Sequence, residues 1–438
     1  MKNLSFIFCI LLFFSCTNKN FDFISIIIEK EKCLAMTKNG KILFESEKGK
    51  SDIVINKAIM QLEKDGVIFL NIGTYLLTDA IFLKSDIKLI GDVDYLTILS
   101  GNLNSIIKGD SVKNVTISNI TVEGTKGGSS KYDAILFEGL SIGNVIQKVI
   151  VKEANGAGVR FLGKDCQNNT VANCMVTDCR GGEGIGFGHG AGKSVINKNK
   201  VSRTLYHGIV IWEGGSNCTI SNNYIEESGF YRPNVPEDFF CHGIAIDGGA
   251  GKNPGKNHLI TGNTIFNSGA AGIEVADGID SVIIRENNIH GTGKKAPWDQ
   301  YGIYFGGSYK PGIYAEIVGN QVSNCKWCGI RVDSNRGENG YTTDVRIDSN
   351  FVSNISRDGI LVGTTKNIKV RNNKIQNTQG NGIRIEGLKN MHAENIFVSN
   401  NEITETQKFG IYMDNTDNGI IQQNQLSNNQ KGKIFRNR

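Results

Sequence analysis

From about residue 85 to 430 the chain repeats one short pattern: glycine or a small residue, isoleucine, any residue, then Val, Ile, Phe or Met. It reads Gly208-Ile209-Val210-Ile211, Gly243-Ile244-Ala245-Ile246, Gly272-Ile273-Glu274-Val275, Gly302-Ile303-Tyr304-Phe305 and Gly329-Ile330-Arg331-Val332, and it runs on to Gly410-Ile411-Tyr412-Met413. Each copy follows an Ile/Val-x-x-Asn-x-Ile/Val element, with its asparagine at Asn199, Asn223, Asn263, Asn287, Asn320, Asn350, Asn373, Asn401 and Asn424. Those asparagines are 24, 40, 24, 33, 30, 23, 28 and 23 residues apart. A minimal period of 23 or 24 with insertions marks a solenoid. Side chains alternate across a strand, so the Ile and Val of each copy point inward and the residue between them points outward. Stacked at the ~4.8 Å spacing of paired strands, equivalent positions form columns, with Ile and Val filling the interior and asparagines bonding along a ladder.

Ahead of the repeats, residues 17–50 read as short strands and turns. Ser51–Lys64 carry Ile53, Ile55, Ala58, Ile59 and Leu62 at helical spacing, with Ser51-Asp52 as N-cap and Gly66 as stop, which predicts a short amphipathic helix. Strand-like runs follow at Val67–Leu70, Tyr75–Leu77, Ile81–Leu83, Ile87–Ile90 and Leu96–Leu99. The stretch from Gly66-Val67-Ile68 through Gly73-Thr74-Tyr75 to Ile90-Gly91 resembles the start of pectate-lyase-like proteins, and residues 85–430 resemble their repeats. The resemblance implies an all-β, single-stranded right-handed parallel β-helix whose open end is plugged by the helix. A plug has a physical reason, because an uncapped coil exposes core Ile and Val and an unpaired sheet edge. The expected division is residues 17–84 for N-terminal strands and capping helix and 85–438 for the repeats.

Composition adds compartment and partners. Glycine is 53 of 438 residues and proline 5, which suits many short strands joined by tight turns. A formal charge of +5 with its signs interspersed is too mild for a nucleic-acid footprint, so no nucleic-acid partner is expected. Lys2, the apolar run Leu4–Phe14 and Ser15-Cys16 form a secretory signal over residues 1–16, too short to span a bilayer permanently. A small residue before Cys16 resembles a bacterial lipoprotein signal. That implies lipidation of Cys16 and a chain held at the outer membrane or cell surface, with secretion or a periplasmic location as the alternative. Cys174 occupies the ladder position of its own repeat, which points to a buried, stacked thiol. Cys325-Lys326-Trp327-Cys328 lacks a βαβ context and a second pair at zinc spacing, so buried or locally bridged structural cysteines are expected.

The outward positions form two rows. The first carries Arg160, Glu274, Tyr304 and Arg331; the second carries Trp212, Asp247 and Asp333. A merely solvated sheet would show Thr, Ser, Lys and Asn there. Two insertions, Phe230–Cys241 and Lys294–Gln300, hold Tyr231 and Trp298 and precede the strands of Asp247 and Tyr304, so they wall one side of a groove. Asp247 and Glu274 lie on adjacent coils one row apart, with Cα atoms ~8 Å apart. That admits either carboxylate separation used in glycoside hydrolysis, and close carboxylates leave one protonated acid beside one ionised base. Asp333 is a reserve catalytic carboxylate. Trp212, Tyr304, Arg331, His242, Asp277, Trp298 and Tyr231 are read as substrate-binding. No cofactor is required, although an acidic cluster also admits Ca²⁺.

Gly184-Ile185-Gly186-Phe187-Gly188-His189-Gly190-Ala191-Gly192-Lys193-Ser194 is no phosphate-binding loop, because Phe187 stands where a glycine is needed and no helix follows. As a strand, its alternating glycines strip the outward face so that a ligand can approach the backbone. Gly188-His189-Gly190 resembles the Gly-His-Gly element of polygalacturonases. The Asn-Thr-Asp, Asp-Asp and Arg-Ile-Lys elements of that family are missing in register, so its catalytic set is not carried over. His189 remains a candidate for proton transfer or substrate contact. His207 and His242 sit in the turn before their strands, placed as base or sugar ligand.

Aromatic rings beside carboxylates in an elongated groove suit a sugar polymer. The expected function is a cell-surface or secreted enzyme that cleaves a polysaccharide, with hydrolysis by Asp247 and Glu274 favoured and His189 and Asp333 in support. A polysaccharide lyase or C5-epimerase acting on uronic acids, through Tyr304, Arg331 and His242, is the alternative. A non-catalytic glycan-binding solenoid is the third reading. Oligomeric state is not readable.

Overall fold

The computed structural model describes residues 21–124, 133–231, 241–249, 252, 254–295, 300–307, 309–334 and 340–437. Among these, the strands form one 18-stranded and two 14-stranded sheets. Each coil contributes one strand to each sheet, as Thr219–Ser221, Tyr224–Glu226 and Ile244–Asp247 do in turn. The pairing between coils is parallel and in register: Ile209, Ile244, Ile273, Ile303 and Ile330 stand in one column. All five are fully buried, and the Phe137, Phe161 and Phe187 rings stack inside at 5.0 and 4.7 Å. The architecture is the all-β parallel solenoid expected from the repeats.

The asparagine ladder forms as the spacing predicts. Asn223 Nδ2 donates to Asn263 Oδ1 at 2.9 Å and to the Ile196 carbonyl at 2.9 Å, while the Asn223 backbone N–H also reaches Asn263 Oδ1. The same arrangement continues from Asn199 to Asn424, with Cys174 at its head donating its N–H to Asn199 Oδ1 at 2.9 Å. Backbone groups that a turn would leave unpaired are thereby satisfied inside the protein. A second, shorter ladder joins Asn144, Asn169 and Ser194. All eight described cysteines are buried and unbridged. Burial pushes the Cys325 and Cys328 thiols up to about 12.

Two N-terminal boundaries differ from expectation. The helix is Ser51–Met60, not Ser51–Lys64, and Gln61 ends it; the chain passes directly into the strand Leu62–Leu70, where Gly66 lies mid-strand. Leu62 fits either periodicity, and its burial in the first coil selects the strand. Ser51 and Asp52 do not cap the helix; Lys50 occupies that position, and Asp52 instead accepts the Thr78 N–H at 2.7 Å. The coil stack also begins before residue 85. Leu62–Leu70, Gly73–Leu76 and Ile81–Phe82 already pair in parallel with the next three strands. The helix turns Val54, Ile55, Ala58 and Ile59 inward as the plug. Among the described residues no helix is long and apolar enough to cross a membrane. The signal segment with Cys16 lies outside them.

Candidate functional site

The third strand of each coil builds the site. Register places Arg160 beside Gly186, Gly186 beside Val210, Val210 beside Ala245, Ala245 beside Glu274, Glu274 beside Tyr304 and Tyr304 beside Arg331. Trp212 pairs with Asp247, Asp247 with Ala276, and Gly306 with Asp333. Both outward rows therefore exist as the alternation requires. A third column, on the lip where each strand begins, was not read from the sequence. Gly184 N–H donates to the His207 carbonyl, Gly208 to His242, Gly243 to Ala271 and Gly272 to Tyr301, at 3.0–3.1 Å, so Glu183, His207, His242, Ala271 and Tyr301 stack in line. The signal for it is a fixed place, one residue before each Gly-Ile pair.

A cleft of about 530 Å³ opens over the earlier coils, lined chiefly by Arg160, Glu183, His207, Trp212, Glu213 and Asp247. Trp212 accounts for the glycine-rich strand. A methyl group on Gly188 would stand 2.2 Å from indole Cε2, and one on Gly186 2.9 Å from Cζ3. The face bared by glycine is thus covered by the indole of the next coil, not left open for a ligand. Arg160 lies 5.8 Å from the indole centroid and donates through Nε to Glu183 Oε1 at 2.9 Å. Its Nη1 reaches Asp133 Oδ1 at 3.1 Å. Burial pushes the Asp133 carboxyl up to about 6, against the pull of Arg160. His189 is exposed, with Nδ1 2.5 Å from Glu213 Oε2 and its ring edge-on to Trp212.

Asp247 sits on the cleft floor, where its Oδ1 accepts the Gly249 N–H at 2.7 Å. Burial pushes its carboxyl up to about 6, and the Glu274 and Asp277 carboxylates add to the rise. Glu274, on the next strand, is 2.8 Å from His242 Nε2. His242 is only 1% exposed, so it does not reach a ligand; it holds Glu274. The Ala271 N–H donates to His242 Nδ1 at 3.1 Å, which leaves the hydrogen of the neutral ring on Nε2, pointed at the carboxylate. The His242 N–H in turn donates to Nδ1 of His207, stacked on it at 5.2 Å. Asp277 accepts the Tyr309 N–H at 3.1 Å beside this pair.

Further along, the expected binding residues pack on one another. Tyr304 is 3% exposed and stacks on Tyr301, which stacks on Trp327. Arg331 lies against all three rings, donates to the Tyr301 hydroxyl, and reaches Asp333 Oδ2 at 2.7 Å through Nε. Among the described residues, the Tyr304 hydroxyl and Asp333 Oδ1 are buried without a hydrogen-bond partner. Burial, with Asp333 and Glu274 nearby, raises the Tyr304 phenol well above its ordinary range. Asp333 is six percent exposed and three coils from Asp247, so it does not join the carboxylate pair. Tyr231 donates its hydroxyl to Asp178, itself paired with Arg203, and lies 4.6 Å from Arg180, away from the cleft lining. Trp298 and most of both insertions lie outside the described residues. Among the described residues no three His, Cys, Asp or Glu side chains gather as a metal-binding group. Sequence reasoning missed Glu183, Glu213 and Asp133, two of them in turns whose side-chain direction no period fixes.

The family described as a right handed beta helix region matches residues 105–289, 237–392 and 301–437. Similar solved folds include the catalytic unit of a thermostable GH87 alpha-1,3-glucanase from Streptomyces thermodiastaticus. It is 16% identical with a TM-score of 0.58, over 88% of this chain and 66% of that one. The A-module of the mannuronan C-5 epimerase AlgE4 from Azotobacter vinelandii is 14% identical with a TM-score of 0.53, over 88% and 92%. The Dettilon tailspike protein is 15% identical with a TM-score of 0.51, over 88% and 64%. At these identities the likeness shows the fold alone. No curated protein matches the chain.

Proposed function

The chain belongs to the right-handed β-helix family, and we propose that its groove cleaves a polysaccharide by hydrolysis, with Asp247 as general acid and Glu274 as the second carboxylate. The observation that carries this is the pair itself. Two carboxyl groups stand on hydrogen-bonded strands one row apart, one pushed up to about 6 and the other held by His242 Nε2. Glycoside hydrolysis needs that asymmetry: a protonated acid for the leaving oxygen, and a carboxylate that attacks the anomeric carbon or activates water. Trp212 and Tyr206 on the cleft lining supply ring faces for pyranose C–H groups. Two of the similar folds are named as a glucanase and a mannuronan epimerase, which supports a polysaccharide as the substrate.

Elimination or epimerisation on a uronic-acid polymer would use Tyr304, Arg331 and His242. Their positions favour it less, since Tyr304 is buried, Arg331 is held by Asp333, and His242 is turned to Glu274. Lys2, the apolar run Leu4–Phe14 and Ser15-Cys16 support export with a lipid anchor on Cys16. Digestion of a polysaccharide panel with a reducing-end assay tests the reaction, with Asp247→Asn and Glu274→Gln each expected to lower kcat about 10²- to 10⁴-fold. Ultraviolet-absorbing unsaturated ends released from a polyuronate would overturn hydrolysis. Unchanged cleavage by both variants would remove the pair from the chemistry.

A further inference from the structure

The cleft pairs its charges internally. Arg160 is its one guanidinium among the described residues, and no described lysine lines it. Two of its nitrogens lie 2.9 and 2.8 Å from Glu183 Oε1, and Nη1 lies 3.1 Å from Asp133 Oδ1. Both carboxylates are more than nine-tenths buried, at 5% and 7% exposure, so neither is displaced by solvent or by a rim contact. The indole of Trp212 lies over the guanidinium. Glu213 is turned to His189. On the far side of Asp247 the next described guanidinium on this face, Arg331, is likewise closed on Asp333 and Tyr301.

A uronate chain brings one carboxylate per sugar into this space. Each would lose hydration beside Asp247, Glu274 and Asp277, with both described guanidiniums along this row, Arg160 and Arg331, already engaged, and like charges set together oppose binding. An uncharged pyranose meets no such cost. It can lay its apolar face on Trp212 while its hydroxyls bond to the cleft's carboxylate and imidazole groups, and the internal ion pairs stay closed. We propose that this cleft is a subsite for an uncharged glycan and that it excludes polyuronates, because Asp133 and Glu183 neutralise Arg160 from within. The inference rests on the cleft being the glycan site, and it does not depend on whether the bond is cleaved by hydrolysis.

Binding is therefore read in the full-length wild-type protein, in cold runs too brief for turnover, so that the Asp247 charge stays in place. Affinity electrophoresis compares glucans, mannans and xylans with alginate and polygalacturonate of matched length. At least one uncharged polymer should retard the protein, with little dependence on salt, and neither polyuronate should do so. Adding Glu183→Gln frees Arg160 from its nearer partner and should raise polyuronate affinity about tenfold, with retention of the uncharged polymer as the control for folding. If that variant does not fold, the parent comparison decides alone. Salt-sensitive retention by a polyuronate, or retention by no polymer, overturns the inference. Reducing ends released by the wild type from a polyuronate would overturn it while leaving hydrolysis intact. Retention of an uncharged polymer that the wild type never cleaves would overturn hydrolysis and leave the inference standing.

Discussion

Replacing Asp247 with asparagine should make the protein more stable and less active at once. The side chain keeps an oxygen for the Gly249 N–H at 2.7 Å, so geometry is preserved and only ionisation is removed. In the folded protein the carboxyl is raised from the ordinary 3.8 to about 6, with burial as the main cause and Glu274 and Asp277 adding to it. The folded state therefore binds more protons than the unfolded one between those two values. Its contribution is fully present below the unfolded pKa and is lost as pH rises toward the folded one. At about 1.36 kcal/mol per pH unit, the loss near pH 7 is about 3 kcal/mol. Unfolding entropy of about 2.1 cal/mol/K per residue over roughly 400 cooperating residues turns this into about 3 to 4 °C in Tm. Thermal unfolding of wild type and Asp247→Asn should thus nearly coincide near pH 4 and separate by about that amount near pH 7, with the variant higher. Parallel curves at both pH values would refute the raised carboxyl, and with it the assignment of Asp247 as the acid.

Three further outcomes are expected. His242→Ala should lower kcat about 10- to 100-fold and leave KM nearly unchanged in steady-state kinetics, because His242 orients Glu274 and does not touch substrate; a raised KM at constant kcat would place it on the ligand. Gly188→Ala sets a methyl 2.2 Å from the Trp212 indole, so the ring must lift: tryptophan emission should shift to the red and glycan affinity fall, with little change in Tm. Asn287→Ala removes four bonds, two accepted from Asn263 at 2.9 Å and two donated to Ile260 and Asn320 at 3.0 Å. At about 1 kcal/mol for each buried bond it should cost about 3 to 5 kcal/mol in urea unfolding, since the partners stay buried and unmatched.

The columns were legible because two simple rules produce them. Alternation fixes which side chain leaves the coil, and the buried Ile of each copy locks register against its neighbours, so Asp247 and Glu274 could be set one row apart without coordinates. What lies between columns was not legible. Trp212 reclines across Gly186 and Gly188, and that follows from side-chain length and a gap in the neighbouring coil, not from any repeat. On the lip, His207 was singled out in the turn before its strand, whereas Glu183, at the same place one residue before its Gly-Ile pair, was missed, because that place fixes a position and not a side-chain direction. Tyr304 and Arg331 do point outward as read, yet Tyr301 and Trp327, from the lip and the turn before it, close over them. The helix ended early because Leu62 satisfies two patterns and the first coil needed it more.

In-register stacking also constrains how such a groove can change. Adding or removing a whole coil moves everything beyond it by one strand spacing, ~4.8 Å, and leaves each remaining pair of neighbours as it was. A single-residue slip inside a strand would instead exchange its inward and outward sets. Reach along a polymer can therefore be lengthened in steps of one repeat while the distance between the Asp247 and Glu274 carboxyls is untouched. If the proposed hydrolysis holds, chain-length preference and bond-breaking chemistry are separately heritable in this fold.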